Sequence, residues 1–347
     1  MKILIWQPFK RWVRQMADGC LLVGDIGGTN VRFALANEDV DEGYAQELSL
    51  KCADFESPEE AINAYLQEVQ APAPRVICLA AAGPVINGEV QFTNNSWRLI
   101  EENLRVTFHT EHVRLLNDFE AIAYSLPLLS DADCINLGPV LKGGLGGGNY
   151  TAGVLGPGTG LGAAGLVSLG DATLPLVTEA GHVGFAPETP LQLDLLVQLR
   201  QRYDRVSDER LVSGGGLENI YWGLGRIQNI AASPLSAGEI FSHCQKESHM
   251  LAVQAVDLFY EILGQVAGNL ALTLGAYQGI YLAGGMVKRY PEMIAGSRFR
   301  EGFENKGRHG RIMRTIPTLL IQHKQPGLLG AGRVASRLQE AARELRP

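Results

Sequence analysis

The chain has 347 residues, of which 46% are hydrophobic and 19% are charged, and its formal net charge is −7. This length is typical of two domains with sizeable hydrophobic cores. The acidic balance argues against a nucleic-acid partner, because binding to nucleic-acid phosphates needs clustered lysine and arginine. The five cysteines include no CxxC pair and so indicate neither a zinc knuckle nor a disulfide framework. We therefore expect reduced thiols and a cytoplasmic location.

The N-terminal segment 1–15 is apolar and basic. Its apolar run, Ile3–Trp6, is much shorter than the roughly 20 residues that a membrane span needs, and the segment lacks the features of a secretory signal. A helix on a membrane surface is an alternative. We favour no membrane contact. Residues 1–19 are then an N-terminal extension, of which 1–15 contribute nothing to catalysis, and Met16 is a candidate for the natural start.

Short apolar runs dominate the first third of the chain. They predict strands at Cys20–Gly24, Val31–Ala36, Ala45–Leu50, Arg75–Ala82, Glu89–Phe92 and His112–Leu116. Helices are predicted at Pro58–Gln70, Trp97–Leu104 and Asn117–Ser125. The first of these helices has Ser57 as its expected N-cap and two glutamates in its first turn. A first domain should therefore end near residue 125.

A second set of strands follows, at Cys134–Leu137, Thr151–Leu155, Leu161–Val167, Gly279–Leu282 and Ile316–Ile321. The chain between Leu191 and Gly275 is mostly helical by its periodicity and includes a long helix at Met250–Leu274. We expect Gly143–Gly148 to be a hairpin tip, and we expect the closing helix Leu328–Leu345 to pack on the first domain. Two α/β domains with a cleft between them result, formed by residues 20–125 plus 323–347 and by residues 126–322.

The segment Gly24-Asp25-Ile26-Gly27-Gly28-Thr29-Asn30 is the first candidate for binding phosphate. Adjacent glycines let the backbone turn tightly and point N–H groups at phosphate oxygens. The segment leads from strand to strand and no Gly-Lys-Ser/Thr follows, which excludes the Rossmann and Walker loops. Asp25, at the strand end, could hold Mg²⁺ directly or through water. The alternative is an ordinary type I′ hairpin turn around Gly27-Gly28.

A second turn of this kind is Gly156-Pro157-Gly158-Thr159-Gly160-Leu161-Gly162, which contains more glycine than a hairpin requires. Thr159 could donate its hydroxyl to a phosphate oxygen. Because one such turn stands near the start of each half, the pair suggests phosphates bound by both domains. A third pattern, Tyr281-Leu282-Ala283-Gly284-Gly285-Met286, is a strand that ends in two glycines before a helix. A ribose or a flat ring could lie against its backbone, although the pattern is common in proteins.

A catalytic base is offered by Leu116-Asn117-Asp118-Phe119. A kinase needs a group that accepts the proton of the acceptor hydroxyl during phosphoryl transfer, and Asp118 at a strand end suits that role. The alternative is that Asn117 or Asp118 serves only as the N-cap of the following helix.

The segment Glu179-Ala180-Gly181-His182 places a glutamate and a histidine three residues apart, where both could face one small ligand. Their donors and acceptors suit the hydroxyls of a sugar. A zinc site would need a third His or Cys nearby, and a turn histidine without a ligand is the plainer alternative. Asn94 could also face a sugar. Glu209, taken by itself, is typical of a solvated helix residue.

Taken in order, these segments resemble the bacterial glucokinase family, within the superfamily of sugar kinases, heat-shock ATPases and actin. The resemblance runs from about Leu21 to the C-terminus. Further motifs that carry it are Thr-Asn-Asn-Ser-Trp at 93–97, Glu-Arg-Leu-Val-Ser-Gly at 209–214, Phe-Glu-Asn-Lys-Gly-Arg at 303–308 and Pro-Gly-Leu-Leu-Gly-Ala at 326–331. Ala180 replaces the usual glycine of Glu-Gly-Gly-His, and the N-terminal extension falls outside the pattern. The cysteine cluster of the repressor-type sugar kinases is absent from the sequence.

The resemblance implies an α/β protein of two actin-like (ribonuclease H-like) domains with an interdomain cleft. It implies ATP-dependent phosphorylation of the 6-hydroxyl of D-glucose with Mg²⁺, at the entry to glycolysis, and it implies Asp118 as the base. The residues implied to bind the sugar are Asn94, Asn117, Asp118, Glu179, His182 and Glu209. The residues implied to bind the nucleotide are Gly24, Asp25, Ile26, Gly27, Gly28, Thr29, Asn30, Gly158, Thr159, Gly160, Gly284 and Gly285.

Other functions remain open at this point. A kinase for another hexose is the nearest alternative. A non-catalytic sugar sensor on the same fold is a second, although a sensor has no need of the base Asp118. A carboxylate kinase such as an acetate kinase is a third, but it would need arginine to bind its substrate. The sequence does not decide the oligomeric state, for which a homodimer is one candidate.

Overall fold

The computed structural model describes residues 19–38, 43–92, 96–140, 145, 148–170 and 172–344. The expectations for the segment 1–18 and for Asn94 lie outside the described residues, as do most of Gly143–Gly148 and part of the turn at 37–43. The chain divides into two compact units, residues 1–128 with 324–347 (unit 1) and residues 129–323 (unit 2). The domain bounds expected from the sequence stay a prediction.

Unit 1 contains a five-stranded sheet. Its strands are β1 Cys20–Ile26, β2 Asn30–Ala36, β3 Tyr44–Lys51, β4 Pro74–Ala81 and β7 His112–Asn117. A separate pair of strands consists of β5 Glu89–Gln91 and β6 Arg98–Ile100. The helices are α1 Pro58–Glu68, α2 Glu101–Phe108, α3 Asp118–Ser125 and α12 Pro326–Glu344. In the order β3-β2-β1-β4-β7, the last three strands run parallel and the first two pair antiparallel.

Alternate residues of the central strands pack on opposite faces of this sheet, as the two-residue period of a strand dictates. On one face Leu22 and Ile77 pack with Tyr65 of α1. On the other face Val23 packs with Leu328 of α12. The closing helix therefore belongs to the core of unit 1, which confirms the prediction that it packs on the first set of strands.

Helix α1 begins as the sequence predicts. The Oγ of Ser57 accepts a hydrogen bond from the backbone N–H of Glu60 (3.2 Å), and Pro58 occupies the first helical position. Serine supplies an acceptor for an N–H that has no partner within the helix, and proline has no N–H to satisfy there. The predicted N-cap is therefore confirmed.

The helix predicted at Trp97–Leu104 is wrong in its first half. Residues Arg98–Ile100 form β6, which pairs antiparallel with β5, and α2 begins only at Glu101. The indole Nε1 of Trp97 donates to the backbone oxygen of Phe55 (3.2 Å), which fixes the start of this strand against a neighbouring loop. Periodicity alone cannot distinguish a strand from a helix in so short an apolar stretch.

Unit 2 contains a six-stranded sheet. Its strands are β8 Cys134–Asn136, β9 Tyr150–Pro157, β10 Leu161–Leu169, β11 Ala172–Thr178, β12 Ile280–Leu282 and β13 Thr318–Ile321. Its helices are α4 Pro190–Leu199, α5 Gly214–Ile227, α6 Ala237–Gln245, α7 Met250–Leu274, α8 Gly285–Lys288, α9 Pro291–Ala295, α10 Phe299–Glu304 and α11 Gly310–Met313. The strand order is β11-β10-β9-β12-β13-β8, in which β9, β12 and β13 run parallel.

Strand β11 has no counterpart among the predicted strands. It lies at the edge of its sheet, and its apolar side chains Leu174 and Val177 are exposed. Pro175 also stands within it, and a proline inside an apolar run argues against a strand in the sequence. An edge strand tolerates the proline because one side of its backbone needs no partner strand.

Helix α7 has the predicted bounds and is the central helix of unit 2. It is long and apolar enough to cross a membrane, but 78% of its most apolar window is buried inside the protein, as in the core helix of a soluble protein. Its glycines allow α10 to approach closely. A Cβ on Gly264 would lie 1.9 Å from the backbone oxygen of Phe299, and one on Gly268 would lie 2.7 Å from that of Phe303.

Candidate active site

Three parallel strands of unit 1 end side by side. The register aligns Ile26 of β1 with Ala81 of β4, and Ala81 with Asn117 of β7. The first glycine turn therefore follows one strand, Gly83 follows the next and Asp118 follows the third. Ligands of α/β proteins commonly bind at the carboxyl ends of parallel strands, because the loops there converge on one edge of the sheet.

The first glycine turn joins β1 to β2. The backbone N–H of Gly27 donates to the carbonyl of Asn30 (3.0 Å), which closes a tight turn. Neither Gly27 nor Gly28 has a positive φ, and a type I′ turn requires one at both central residues. The type I′ alternative is therefore wrong. Gly28 and Thr29 follow in the turn, where Thr29 is exposed.

Two residues at the start of this segment lie in the core of unit 1. A Cβ on Gly24 would lie 2.7 Å from Leu79 Cδ2, and the side chain of Ile26 is fully buried. Gly24 is therefore glycine because the sheet is packed tightly there. If either residue contacts a nucleotide, it does so through its backbone.

Asp25 lies at the end of β1, near the start of helix α12. Its Oδ2 is 3.7 Å from the Nη1 of Arg32, and a Cβ on Gly327 would lie 3.7 Å from its carboxyl carbon. Burial raises the pKa of Asp25, and the charge of Arg32 opposes that rise. A partly desolvated carboxylate beside a strand end suits a cation, and Mg²⁺ is often held by one or two carboxylates together with substrate phosphates.

Asn117 is the N-cap of α3. Its Oδ1 accepts from the backbone N–H groups of Phe119 (2.9 Å) and Glu120 (3.3 Å), and its Nδ2 donates to the carbonyl of Gly83 (3.0 Å). The side chain of Glu120 accepts in turn from the backbone N–H of Asn117, which completes a capping box. The capping alternative therefore holds for Asn117, whose amide also ties the ends of two strands together.

Asp118 is the first residue of α3, and its side chain is half-buried. Its Oδ1 accepts from the backbone N–H of Phe119 (2.9 Å). The positive end of the helix dipole favours a negative charge at this position. Because Asn117 is the cap, Asp118 is not required for that purpose and stands at the strand end as an ionisable group.

The second glycine turn joins β9 to β10 in unit 2. The backbone N–H of Gly158 donates to the carbonyl of Gly160 (2.8 Å), and the N–H of Gly214 donates to the carbonyl of Gly158 (2.9 Å). The start of α5 therefore holds this turn from one side. Thr159 is exposed at its tip, where its hydroxyl can meet a ligand.

The third glycine pattern lies against the second turn. Gly284 has φ +94°, and a Cβ there would lie 2.5 Å from the carbonyl oxygen of Pro157. Only glycine fits this combination of a positive φ and a close backbone contact. Gly285, the first residue of α8, has no atom within 4 Å of a hypothetical Cβ and so faces open space.

Glu179, His182 and Glu209 are brought together in unit 2. The Nε2 of His182 is 3.9 Å from Glu179 Oε2, and its Nδ1 is 4.0 Å from Glu209 Oε1. Glu209 Oε2 accepts from the backbone N–H of Leu161 (2.9 Å), and a Cβ on Gly160 would lie 2.5 Å from the same oxygen. The glycine turn therefore lies directly against this polar cluster.

Glu209 corrects one expectation. By itself the sequence predicts a solvated helix residue, but the side chain is only 26% exposed and lies in the short 3-10 helix Asp208–Arg210. Its carboxylate is fixed by the backbone of Leu161 instead of extending into water. Nothing in the local pattern indicates this, because the contact joins residues 48 positions apart.

The cluster is held by backbone contacts between two segments. The N–H of Asp208 donates to the carbonyl of Val183 (3.0 Å), and the N–H of Phe185 donates to that of Val206 (3.1 Å). A Cβ on Gly181 would lie 2.1 Å from the carbonyl of Leu161, so the turn at 179–182 rests on β10. These contacts place the segment that carries His182 beside the segment that carries Glu209.

Asp208 is a residue that the sequence reasoning missed. It is 7% exposed, and burial raises the pKa of its carboxyl group to about 7. It adjoins Glu209 in the chain, so a change in its ionisation takes place at the edge of the polar cluster. The only sequence signal is its adjacency to the Glu-Arg-Leu-Val-Ser-Gly motif, which does not report burial.

The sequence of this chain is similar to those of known glucokinases. A family model described as Glucokinase matches residues 22–338. The glucokinase of Marinobacter nauticus is 43% identical over 316 residues, which cover 91% of this chain and 97% of the relative. A glucokinase of a Caulobacter species is 40% identical and covers 90% of this chain and 94% of the relative.

Solved structures of glucokinases have a similar fold. The crystal structure of a glucokinase from an Antarctic psychrotroph has a TM-score of 0.83 and 32% identity, covering 91% of this chain and 98% of that one. A ROK family glucokinase from Streptomyces griseus in complex with glucose and AMPPNP has a TM-score of 0.60 at 18% identity, covers 92% of this chain and all of that one, and shows the fold alone. The fold and these relatives together define a sugar kinase with the actin-like α/β fold. Within that class, the chain belongs to the glucokinase family.

Proposed function

We propose that this protein transfers the γ-phosphoryl group of ATP to the 6-hydroxyl of D-glucose, giving glucose 6-phosphate and ADP. The observation that carries the proposal is the polar cluster Glu179, His182 and Glu209 of unit 2. The carboxylate of Glu209 accepts a hydrogen bond from the backbone N–H of Leu161, directly after the glycine turn. A phosphate-binding turn next to a set of sugar-hydroxyl partners suits a sugar kinase. Membership of the glucokinase family selects glucose as the sugar.

Asp118 is the proposed general base. It would accept the proton of the 6-hydroxyl as that oxygen attacks phosphorus, since a kinase works mainly by positioning and charge neutralisation. Its place at the N-terminus of α3 supports the role, because the helix dipole favours the ionised carboxylate that a base requires. The remaining sugar hydroxyls would be bound by Asn94, Asn117, Glu179, His182 and Glu209.

The nucleotide would be bound mainly by backbone groups. The turns Gly24–Asn30 and Gly158–Gly160 would contact its phosphates, with the Thr159 hydroxyl as an added donor. Gly284 and Gly285 would lie near the adenosine, where Gly285 offers open space.

Mg²⁺ would be held by Asp25 together with the phosphates. Among the residues that the structure describes, no three His, Cys, Asp or Glu side chains cluster as a metal site. A single carboxylate still fits Mg²⁺, which keeps several waters and takes most other ligands from the substrate. The ion would neutralise the charge on the phosphate oxygens. Asp25 would orient it from the end of β1.

A homodimer in the cytoplasm is the proposed state of the protein. Two observations support an interface. Leu193 and Val197, one turn apart on α4, are exposed apolar side chains, and exposed apolar surface often marks interaction sites. Strand β11 is also an edge strand whose outer side can pair with another chain. Light scattering on the purified protein tests this, and a monomer at micromolar concentration would contradict the dimer.

A coupled assay with ATP and a panel of hexoses tests the proposed reaction. We expect sugar-dependent ADP release, highest with D-glucose. Faster turnover with fructose or mannose would favour another hexose specificity. Activity with none of the sugars, while glucose still binds in calorimetry, would favour the sugar sensor.

A further inference from the structure

A charged cavity lies in unit 2, apart from the residues assigned to sugar and nucleotide. Its volume is about 530 Å³, and none of the predicted site residues lines it. Glu188, Glu261, Arg298, Lys306 and Arg314 are among the residues that do. The cavity includes part of the motif Phe-Glu-Asn-Lys-Gly-Arg at 303–308, to which the proposed reaction gives no role.

Lys306 is the buried cation of this cavity. Its side chain is 6% exposed, and its Nζ donates to Glu188 Oε1 (2.9 Å) and to the carbonyls of Gly302 and Asn305 (both 3.3 Å). Asn305 Nδ2 donates to the second carboxylate oxygen of Glu188 (3.3 Å). Burying an ammonium group is costly unless it is paired, so removing Glu188 would leave a buried charge uncompensated.

Glu188 is the last residue of the segment 179–188, which also carries Glu179 and His182. Within that segment, the carbonyl of Ala186 accepts from Nε2 of Gln265 (2.7 Å), a residue of α7 that is almost fully buried. Near its Glu188 end the segment is attached to Lys306, to α7 and, through Phe185, to Val206. Near its other end Gly181 lies against Leu161. Between these attachments the carbonyl of Val183 accepts from the N–H of Asp208, and the side chain of His182 is exposed.

We infer that the Lys306–Glu188 pair positions Glu179 and His182 for binding the sugar. This inference rests on the proposed function, since it assigns both residues to the sugar site. Lys306 and Glu188 are positioning residues that touch neither substrate. Without the pair the segment keeps the backbone contacts of Val183 and Phe185, but its Glu188 end gains freedom, and part of the binding free energy is spent on ordering it. The glycine turn for the nucleotide is unaffected, because the pairing of β9 with β10 holds it.

The test compares Lys306→Met, Glu188→Gln and the double variant with wild type, using the full chain. We expect each single variant to raise the KM and the calorimetric Kd for glucose about tenfold, which corresponds to about 1.4 kcal/mol of binding free energy spent on ordering the segment. The kcat and the KM for ATP should change by no more than about twofold, because the displaced group acts in binding the sugar. The double variant should be no worse than the worse single one, because both changes remove the same ion pair.

Arg314→Met is the matched control. It removes a positive charge from the same cavity, but Arg314 is 65% exposed and faces Glu304, which lies outside the segment 179–188. We expect wild-type kinetics from it. Glu188→Gln keeps the shape of its side chain, so it serves if Lys306→Met does not fold.

Two results would overturn the inference. One is a glucose KM and Kd within about twofold of wild type in Glu188→Gln, whatever its thermal midpoint; the other is a double variant whose effects are the product of the single ones. The hexose assay of the wild type distinguishes failure of the positioning role from failure of the proposed function. A wild type inactive with every hexose rejects the proposed function, and the glucose Kd series then decides the positioning role alone.

Discussion

The glycine turn of unit 1 joins β1 to β2, and the glycine turn of unit 2 joins β9 to β10. Before the first turn, in β1, a Cβ on Gly24 would lie 2.7 Å from the core side chain of Leu79. In the second turn a Cβ on Gly160 would lie 2.5 Å from the carboxylate of Glu209. The packing of a sheet therefore requires glycine before the first turn, and the approach of a polar side chain requires it in the second.

The polar residues next to the two turns are held in different ways. Asp118 stands between a strand and a helix, so local secondary structure fixes its position. His182 and Glu209 lie in short 3-10 helices, and Glu179 directly precedes the first of them. Long-range backbone contacts hold these segments together. We conclude that unit 1 positions its carboxylate through regular structure, whereas unit 2 depends on distant residues and is easier to disturb from afar.

The largest expected effect is in unit 1. Asp118→Asn should lower kcat by about 10²–10⁴-fold, because an amide cannot accept the hydroxyl proton. Glucose binding in calorimetry should remain, since asparagine is nearly the same shape. Glu102→Gln removes an exposed carboxylate of the same unit and should have no effect. Turnover of Asp118→Asn close to wild type would exclude Asp118 as the base.

The second turn can be disturbed by one methyl group. Gly284→Ala forces a Cβ to 2.5 Å from the carbonyl oxygen of Pro157 at a positive φ. We expect the free energy of unfolding to fall by about 1–3 kcal/mol, measured by urea denaturation. Gly285→Ala is the matched control, with open space around its Cβ. Equal losses in the two variants would contradict the backbone contact as the cause.

Asp208 gives unit 2 a pH dependence. Its pKa is about 7 in the folded protein against an ordinary value of 3.8, so between these two values the native state binds a proton that the unfolded chain does not. The free energy of unfolding should therefore fall as pH rises from about 4 to 7, by up to about 4 kcal/mol in total, since one pKa unit corresponds to about 1.4 kcal/mol. Asp208→Asn should remove this part of the pH profile, measured by urea denaturation at each pH. Parallel profiles for the variant and wild type would reject the assignment.

The smallest effect concerns the capping box of unit 1. Asn117→Ala removes the acceptor of two backbone N–H groups and should lower the free energy of unfolding by about 1 kcal/mol. Asn117→Asp keeps the acceptor and should lose less. Thermal and urea unfolding of both variants measure this, and a fully stable alanine variant would show that water replaces the cap at no cost.

Much of this fold follows from local sequence patterns. The strands before Asp25 and Asn117 are short apolar runs, and Ser57 and Asn117 are residues that begin helices. The fold class and the family could be predicted because these patterns recur in a fixed order. Capping by Asn117 can also be predicted from the sequence, because capping depends on residues only two or three positions away.

What the sequence does not predict depends on partners distant in the chain. Strand β6 is defined by pairing with β5, and β11 by pairing with β10, so neither stands out in its own residues. The fixed carboxylate of Glu209 depends on Leu161, and the raised pKa of Asp208 depends on burial. Each of these is a property of tertiary contact, on which local periodicity carries no information.

Helix α12 has a consequence for how the chain is synthesised. It packs on the sheet of unit 1 through Leu328 and Val334, yet it is encoded after all of unit 2. A ribosome therefore releases every residue of unit 2 before the helix that covers one face of the first sheet emerges. Domains generally fold as units during synthesis, so the apolar face around Val23 and Cys78 stays uncovered through most of translation. A nascent chain stalled near residue 320 should accordingly bind chaperones through the first unit.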